Sequence, residues 1–292
     1  SQIPIFKNGK KGINFFKIHC LSPKNIFFKK ISISSIFYTN LIGFTNIICH
    51  ITMQLSNARM TSYERNCQKM INILKNIPAA NEELVKQLAQ CSVATVHEAL
   101  GQIGALDSSI KPLIRDMKMC GRAITVKCFE RDNIMLIKAI SMAKRGDVII
   151  ADMGSCVNEG PFGEVLAVDA LTHGVAGLVV NCSVRDSEAV IRRGFPVFSA
   201  GLSVRGTSKA TLGTINHPIS IGGITVYPGD YVLGDADGVV VIPHDRIKEA
   251  IEKSVAREEK EAKVMERLQA GESLFDIYDY QKVFDRLGCK EE

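Results

Sequence analysis

The sequence predicts an α/β fold, a partly parallel sheet with a long C-terminal helix, on three observations. Apolar strand-like runs alternate with helical segments between residues 123 and 193, short glycine-punctuated strands follow Pro196, and residues 245–269 interleave acids and bases at helical spacing. Residues 81–90 and 95–102 read as short helices, the second opened by Thr95-Val96-His97-Glu98, a capping-box pattern. Strands over 123–129, 148–152 and 177–181 then alternate with helices over 133–143, 163–173 and 187–193, the grammar of parallel βαβ pairing. The strands over 219–221, 224–227, 231–233 and 239–242, with a turn at Pro228-Gly229-Asp230, read as antiparallel or mixed. Asp235-Ala236-Asp237-Gly238 reads as a hairpin turn, and the charged helix ends at Gly271.

Residues 1–60 differ from the remainder. Lys7, Lys10, Lys11, Lys17, Lys24, Lys29, Lys30 and Arg59 precede the first acid, Glu64, so the net charge of +5 belongs to this leader. The body, with 28 cations against 31 anions, is mildly acidic and gives no support for a nucleic-acid partner. The leader is read as unstructured, and both a transit peptide and translated upstream sequence before Met53 or Met60 fit it. Ile31 to Met53 carries no charge but too many Ser, Thr, Asn and His residues for a good span, so no membrane association is expected. Residues 61–292 suit a single domain. Nine cysteines without a Cys-x-x-Cys pair or metal-ligand spacing argue against a disulfide framework and for a reducing, cytoplasmic setting, with organellar import through residues 1–60 left open.

In open α/β sheets, ligands collect beyond the carboxyl ends of parallel strands, which directs attention to the loops after Asp152 and Asn181. The first is glycine-rich and runs Gly160-Pro161-Phe162-Gly163 into a helix starting Gly163-Glu164-Val165-Leu166, so its backbone N–H groups suit a carboxylate or phosphate. It matches neither a Walker loop nor a dinucleotide-binding glycine motif. The second carries Arg185-Asp186: a guanidinium fork for an anionic substrate beside a carboxylate for a hard divalent cation. The same pair also fits a structural role, Asp186 capping the helix at Ser187 and Arg185 forming a surface pair, and spacing does not separate the two.

Glu164, twenty intervening residues and Arg185-Asp186 together resemble the acid-x20-Arg-Asp signature of the class II pyruvate aldolases related to the ribonuclease E regulator. Ala94-Thr95-Val96-His97-Glu98-Ala99, Phe162-Gly163-Glu164, Gly194-Phe195-Pro196-Val197-Phe198, Ser208-Lys209-Ala210-Thr211-Leu212-Gly213 and Pro228-Gly229-Asp230 are likewise similar to the 4-carboxy-4-hydroxy-2-oxoadipate and 4-hydroxy-4-methyl-2-oxoglutarate aldolases. The resemblance covers roughly residues 80–287.

It implies a three-layer β/β/α sandwich of swivelling-domain type, a homotrimer with sites at subunit interfaces, and dependence on Mg2+ or Mn2+. It further implies a lyase that cleaves 4-hydroxy-2-oxo acids to pyruvate, with oxaloacetate decarboxylation through the same enolate. Asp186 would face the metal, Arg185 the substrate oxygens, and the backbone of Gly163, Glu164, Val165 and Leu166 the substrate carboxylate. Glu164 would act through metal-bound water, Glu98 as acid or base, and Lys209 on a distal carboxylate. A role for Glu261 from a neighbouring subunit is also implied, while His97 reads first as a helix histidine. The alternative is a non-catalytic regulator-like binding protein; regulators typically lack the acid and the Asp that Glu164 and Asp186 supply.

Overall fold

The computed structural model describes residues 71–290 apart from Ser155; the leader and the proposed boundary at residue 60 lie outside the described residues. The chain runs α1 (Glu82–Leu88), α2 (Val93–Ala99), β1 (Lys111–Pro112), β2 (Met119–Lys127), α3 (Ile134–Ile140), β3 (Asp147–Asp152), α4 (Glu164–Thr172) and β4 (Gly177–Val180). It continues through β5 (Ser183–Val184), α5 (Ser187–Arg193), β6 (Val197–Ser199), β7 (Gly201–Leu202), β8 (Thr214–Ile215), β9 (Ile219–Ile221) and β10 (Ile224–Val226). After β11 (Tyr231–Asp235) and β12 (Gly238–Ile242) come the long α6 (Ile247–Gln269) and two short helices, α7 (Leu274–Ile277) and α8 (Gln281–Leu287).

Side-chain alternation along the strands decides the layers. On β2, β3 and β4, Ile124, Val126, Ile149, Ala151, Leu178 and Val180 pack with Leu136 and Ile140 of α3, Ala167 and Ala170 of α4 and Val190 of α5. Their alternate neighbours Ala123, Val148, Ile150 and Val179 face the other way, against Val232, Val239, Val241 and the β9–β10 hairpin residues Ile219, Ile221 and Val226. The outer face of β11 and β12, carrying Tyr231, Leu233, Val240 and Ile242, is covered by α1, α2 and the first turns of α6. This is the β/β/α architecture that the resemblance implies. Cys128 and Cys182, 2% and 1% exposed, serve as small core residues.

The main sheet runs β1-β6-β4-β3-β2-β11-β12, with β8 also on β2. β2 pairs parallel with β3, β3 with β4, and β4 with β6, as the βαβ reading requires, while β11 pairs antiparallel with both β2 and β12. The sheet almost closes into a barrel. Residues just before β1 pair with β12 through Leu106 N–H to Val239 O (3.0 Å) and Val241 N–H to Gly104 O (2.8 Å), while β1 itself pairs with β6. Gly104 permits that seam, because a Cβ there would sit 2.2 Å from Val241 O and its φ is +82°.

Two sequence expectations change. The second helix begins three residues earlier than the capping-box pattern indicates: Ser92 is its N-cap, accepting from Thr95 N–H, and Asp235 Oδ2 accepts from Val93 N–H at 2.9 Å. Asp235 reaches across from the β11–β12 turn to satisfy this helix start, so the cap is a long-range contact that sequence spacing does not display. Glu98 is therefore released from any capping role. The short strands β1, β5, β6, β7 and β8 are also absent from the sequence reading, being only two or three residues each.

Arg122 and Asp147 cross-link β2 and β3 inside the body. Nε and Nη2 of Arg122 each donate at 2.9 Å to the carboxylate, Nη1 donates to Pro78 O, and Lys144 N–H adds a further bond to Asp147. Both side chains are buried, so removing one partner strands the other charge without solvent. Arg122→Ala is expected to lower unfolding free energy by about 3–5 kcal/mol in chemical denaturation; a loss under about 1 kcal/mol would contradict this reading of the pair.

Candidate active site at the carboxyl ends of the parallel strands

A polar network, buried at Asp152 and Asn181 and open to solvent at Lys127, lies across the carboxyl ends of β2, β3 and β4. Lys127 Nζ donates to Asp152 Oδ2 at 2.5 Å, Asn181 Nδ2 donates to Asp152 Oδ1 at 3.0 Å, and Asn181 Oδ1 accepts from Met153 N–H at 2.7 Å. Each strand thus contributes one residue to fixing where its loop departs.

The two loops that leave this network meet. Arg185 N–H donates to Phe162 O at 2.9 Å, bringing the 160–163 segment against the start of the 185–186 turn. Gly163 lies so close to that turn that a Cβ would stand 2.4 Å from Asp186 Oδ2, 3.0 Å from Arg185 Cγ and 3.1 Å from Arg185 Nε. Its φ of −153° is open to any residue, so space alone demands glycine.

Of the structural reading of the Arg-Asp pair, the surface pair is present and the helix cap is not. Asp186 occupies the N-cap position of α5 but makes no side-chain cap bond to that helix. Its backbone is left-handed (φ 52°, ψ 35°), a conformation that costs a non-glycine residue energy and clusters at functional sites. The carboxylate is directed instead to α4, where Oδ2 accepts from Glu164 N–H at 3.2 Å. Arg185 Nε stands 3.7 Å from Asp186 Oδ2, and both side chains are nearly half exposed.

An anion-favouring helix start, a guanidinium and a carboxylate therefore share one surface. The first intrahelical bond of α4 is Ala167 N–H to Gly163 O, so the first-turn amides of Val165 and Leu166 precede the helical ladder. A groove of about 370 Å³ lined by Arg185, Asp186, Ser187, Leu202, Ser203 and Val204 adjoins a second of about 420 Å³ along Glu164, Asp186 and Arg192. Asp186 lies in both. Another cleft of about 420 Å³ lies beside Cys91 and Cys120 and is lined also by Lys86, Lys118, Asp235 and Glu258, with Asp235 taken up by the start of α2.

The other expected residues are placed differently. The Glu164 side chain is ion-paired with Arg193 of α5 at 2.9 Å. Glu98 pairs with Arg257 of α6, whose Nε also holds Glu261 at 2.7 Å; these three form a separate cluster on the α2–α6 face, without contact to the Gly163–Asp186 cluster within one chain. His97 Nδ1 contacts Ile103 O, a structural bond. Lys209 is exposed and has no ion-pair partner among the described residues, in a segment whose neighbour Gly206 would place a Cβ 3.5 Å from Arg185 Nη1.

For a divalent cation, Asp186 offers a hard oxygen, and a Cβ at Gly163 would fill the space beside it. Among the described residues no three His, Cys, Asp or Glu side chains converge as a ligand cage. One carboxylate with the remaining positions left to water and substrate is the coordination Mg2+ favours, so the donor set fits such an ion.

A family profile described as RraA-like, Aldolase/RraA, matches residues 93–241, which include every element of this site. The chain belongs to the RraA-like family. A Halalkalibacterium halodurans protein named "Putative 4-hydroxy-4-methyl-2-oxoglutarate aldolase" is 35% identical over 175 residues, 60% of this chain and 83% of that one. Protein DlpA of Legionella pneumophila is 30% identical over 226 residues, covering 75% of this chain but only 36% of that longer protein. Among solved structures, Streptomyces coelicolor RraAS2, described as an unusual member of the RNase ES inhibitor RraA protein family, superposes with a TM-score of 0.59 at 26% identity, over 65% of this chain and 99% of that one. No helix among the described residues of the RraA-like chain is long and apolar enough to cross a membrane.

Sequence reasoning overlooks Arg131, Asp132 and Asn133. They read simply as the start of a helix, a position where Asp and Asn are common. In the structure Asp132 is buried and its carboxylate is ringed by donors: burial raises its pKa, but bonds from Ala210, Ile134, Ser208 and Thr211 more than offset this and hold it below the usual carboxylate range.

The steric argument at Gly163 is directly testable. A crystal structure of Gly163→Ala is expected to show the Asp186 carboxylate displaced by about 1 Å, the movement that restores ordinary contact distances, with the α4–α5 fold retained. An unmoved carboxylate would refute the tight approach.

Proposed function

We propose that this RraA-like chain is a divalent-metal-dependent lyase that cleaves 4-hydroxy-2-oxo acids such as 4-hydroxy-4-methyl-2-oxoglutarate or 4-carboxy-4-hydroxy-2-oxoadipate to pyruvate and a second oxo acid. The observation that carries the reading is Asp186, strained and turned from its own helix toward the Gly163–Glu164 helix start, with Arg185 beside it. The name of the Halalkalibacterium relative supports the same substrate class. A regulator-like binding role has no need of this strained carboxylate.

In retro-aldol cleavage the C4 hydroxyl loses a proton, the C3–C4 bond breaks, and its electron pair passes to the pyruvate enolate, which is then protonated at C3. Mg2+ or Mn2+, held by Asp186, would supply Lewis-acid stabilisation to the 2-oxo and carboxylate oxygens. Arg185 holds those oxygens and offsets their growing negative charge. The helix start over Gly163, Glu164, Val165 and Leu166 receives the C1 carboxylate, chiefly through the Val165 and Leu166 amides while that of Glu164 stays on Asp186, and the Glu164 side chain, steadied by Arg193, helps order water at the site. Lys209 binds the distal carboxylate.

Glu98, paired with Arg257, is assigned the proton transfer. Within one chain it lies outside the loop cluster, so this assignment joins the proposal to a homotrimer, in which the α2–α6 face of a second copy completes the site. Oxaloacetate decarboxylation follows from the same geometry, because loss of CO2 from C4 leaves the same enolate.

The test is pyruvate release from 4-hydroxy-4-methyl-2-oxoglutarate, 4-carboxy-4-hydroxy-2-oxoadipate and oxaloacetate by the full chain, with Mg2+ and then with EDTA. Metal-dependent pyruvate is expected from at least one substrate. Asp186→Asn and Arg185→Ala are each expected to lower kcat/KM by about 10²–10³, with unchanged thermal unfolding. No pyruvate from any of the three would turn the assignment to a regulator-like binding protein.

A further inference from the structure

Three consecutive residues in the β2–α3 turn each hold a different part of the wall around the candidate site. Arg131 Nε pairs with Glu159 Oε1 at 3.1 Å, and Asn133 Nδ2 donates to Pro161 O at 2.7 Å, two residues before Gly163. Asp132 takes the opposite loop. Its Oδ2 accepts from Ala210 N–H (2.6 Å), Thr211 N–H (3.0 Å) and Ser208 Oγ (3.0 Å), while Oδ1 accepts from Ile134 N–H at 3.0 Å. Backbone bonds from Ser208 N–H to Arg131 O (2.8 Å) and from Asn133 N–H to Ser208 O (3.2 Å) complete the joint.

The other end of this loop touches the catalytic candidates. Gly160 N–H donates to Arg205 O at 2.8 Å, Ser203 Oγ donates to Asn158 O, and Gly206 packs beside the Arg185 guanidinium. Residues 203–211 are thus strung between Arg185 and Asp132, with Lys209 between the Ser208 and Ala210 contacts of the buried carboxylate. Among the described residues Lys209 has no ion-pair partner and is exposed, so its ammonium faces outward to an anion.

We propose that Asp132 is a positioning residue for substrate specificity: by clamping residues 208–211 it fixes where Lys209 stands relative to Arg185, and so selects 2-oxo acids carrying a second carboxylate. The proposal rests on the lyase reading above. Its chemistry is narrow. Both oxygens of Asp132 face donors, so an amide, which has one acceptor oxygen and one NH2 group, must set N–H against N–H whichever way it is turned. Asp132→Asn, with its oxygen turned to Ala210 and Thr211, keeps the loop bonds and loses only the bond from Ile134, whereas Asp132→Ala removes every acceptor and opens the clamp.

Two measurements test this. The first is limited trypsin digestion of the folded full chain, followed at Arg205 and Lys209; Asp132→Ala is expected to speed cleavage there by about tenfold or more, and Ser208→Ala, an exposed position, by a smaller factor. The second is steady-state kinetics with 4-carboxy-4-hydroxy-2-oxoadipate. Asp132→Ala is expected to raise KM about tenfold with kcat within about twofold, and to cause no further rise in a Lys209→Ala background, since coupled residues do not add.

Unchanged cleavage in both variants would overturn the clamp whatever the activity. Faster cleavage with an unchanged KM, or with effects that add to those of Lys209→Ala, would overturn the specificity role. Wild-type protein that releases no pyruvate at all would overturn the lyase reading and with it the substrate selection, and the digestion result separates that failure from failure of the clamp.

Discussion

The Asp186 carboxylate reaches away from the helix it begins and accepts the first amide of the neighbouring helix. Much of the site follows from that reach. It requires a left-handed backbone at a non-glycine residue, it requires a residue without a side chain at Gly163, and it brings Arg185 alongside the same helix start. A carboxylate that only capped its own helix would need none of these. The strain is maintained because the 160–163 segment is fixed from both sides, by Arg185 N–H to Phe162 O and by Asn133 to Pro161 O.

The sheet supplies the rigidity behind this arrangement. Parallel order places the ends of β2, β3 and β4 side by side, and Lys127, Asp152 and Asn181 join those ends through a mostly buried network. Buried polar groups that satisfy one another specify a single geometry, whereas a half-satisfied set would leave the loops free to choose others. The near-closure of the barrel at Gly104 holds β12 to the β1 edge, so the parallel strands are supported from both sides of the sheet.

Much of the fold is legible from local pattern. Strands β3 and β4 and helices α4 and α5 fall within a residue or so of their expected limits, because each is an apolar run or periodic stretch bounded by glycine, asparagine or aspartate. Long-range satisfaction is not legible. The cap of α2 comes from Asp235, far along the chain, and the Thr95 pattern conceals it. At the site, Gly163, Arg185 and Asp186 are readable because they sit in adjacent loops after parallel strands. Asp132 is hidden, since its ligands lie 76 to 79 residues away and its own neighbours resemble an ordinary helix start. Glu98 is readable only through resemblance; its contact with Arg257 depends on how α2 meets α6.

Gly163, Arg185 and Asp186 make one site only if an anion and a divalent cation bind there together. Oxalate, a planar mimic of the pyruvate enolate, isolates that property from turnover, and titration calorimetry of oxalate into the full chain, with Mg2+ and then with EDTA, measures it directly. Oxalate is expected to bind only with Mg2+ present and to lose that binding in Asp186→Asn. Equal binding in EDTA, or full metal-dependent binding by Asp186→Asn, would contradict this.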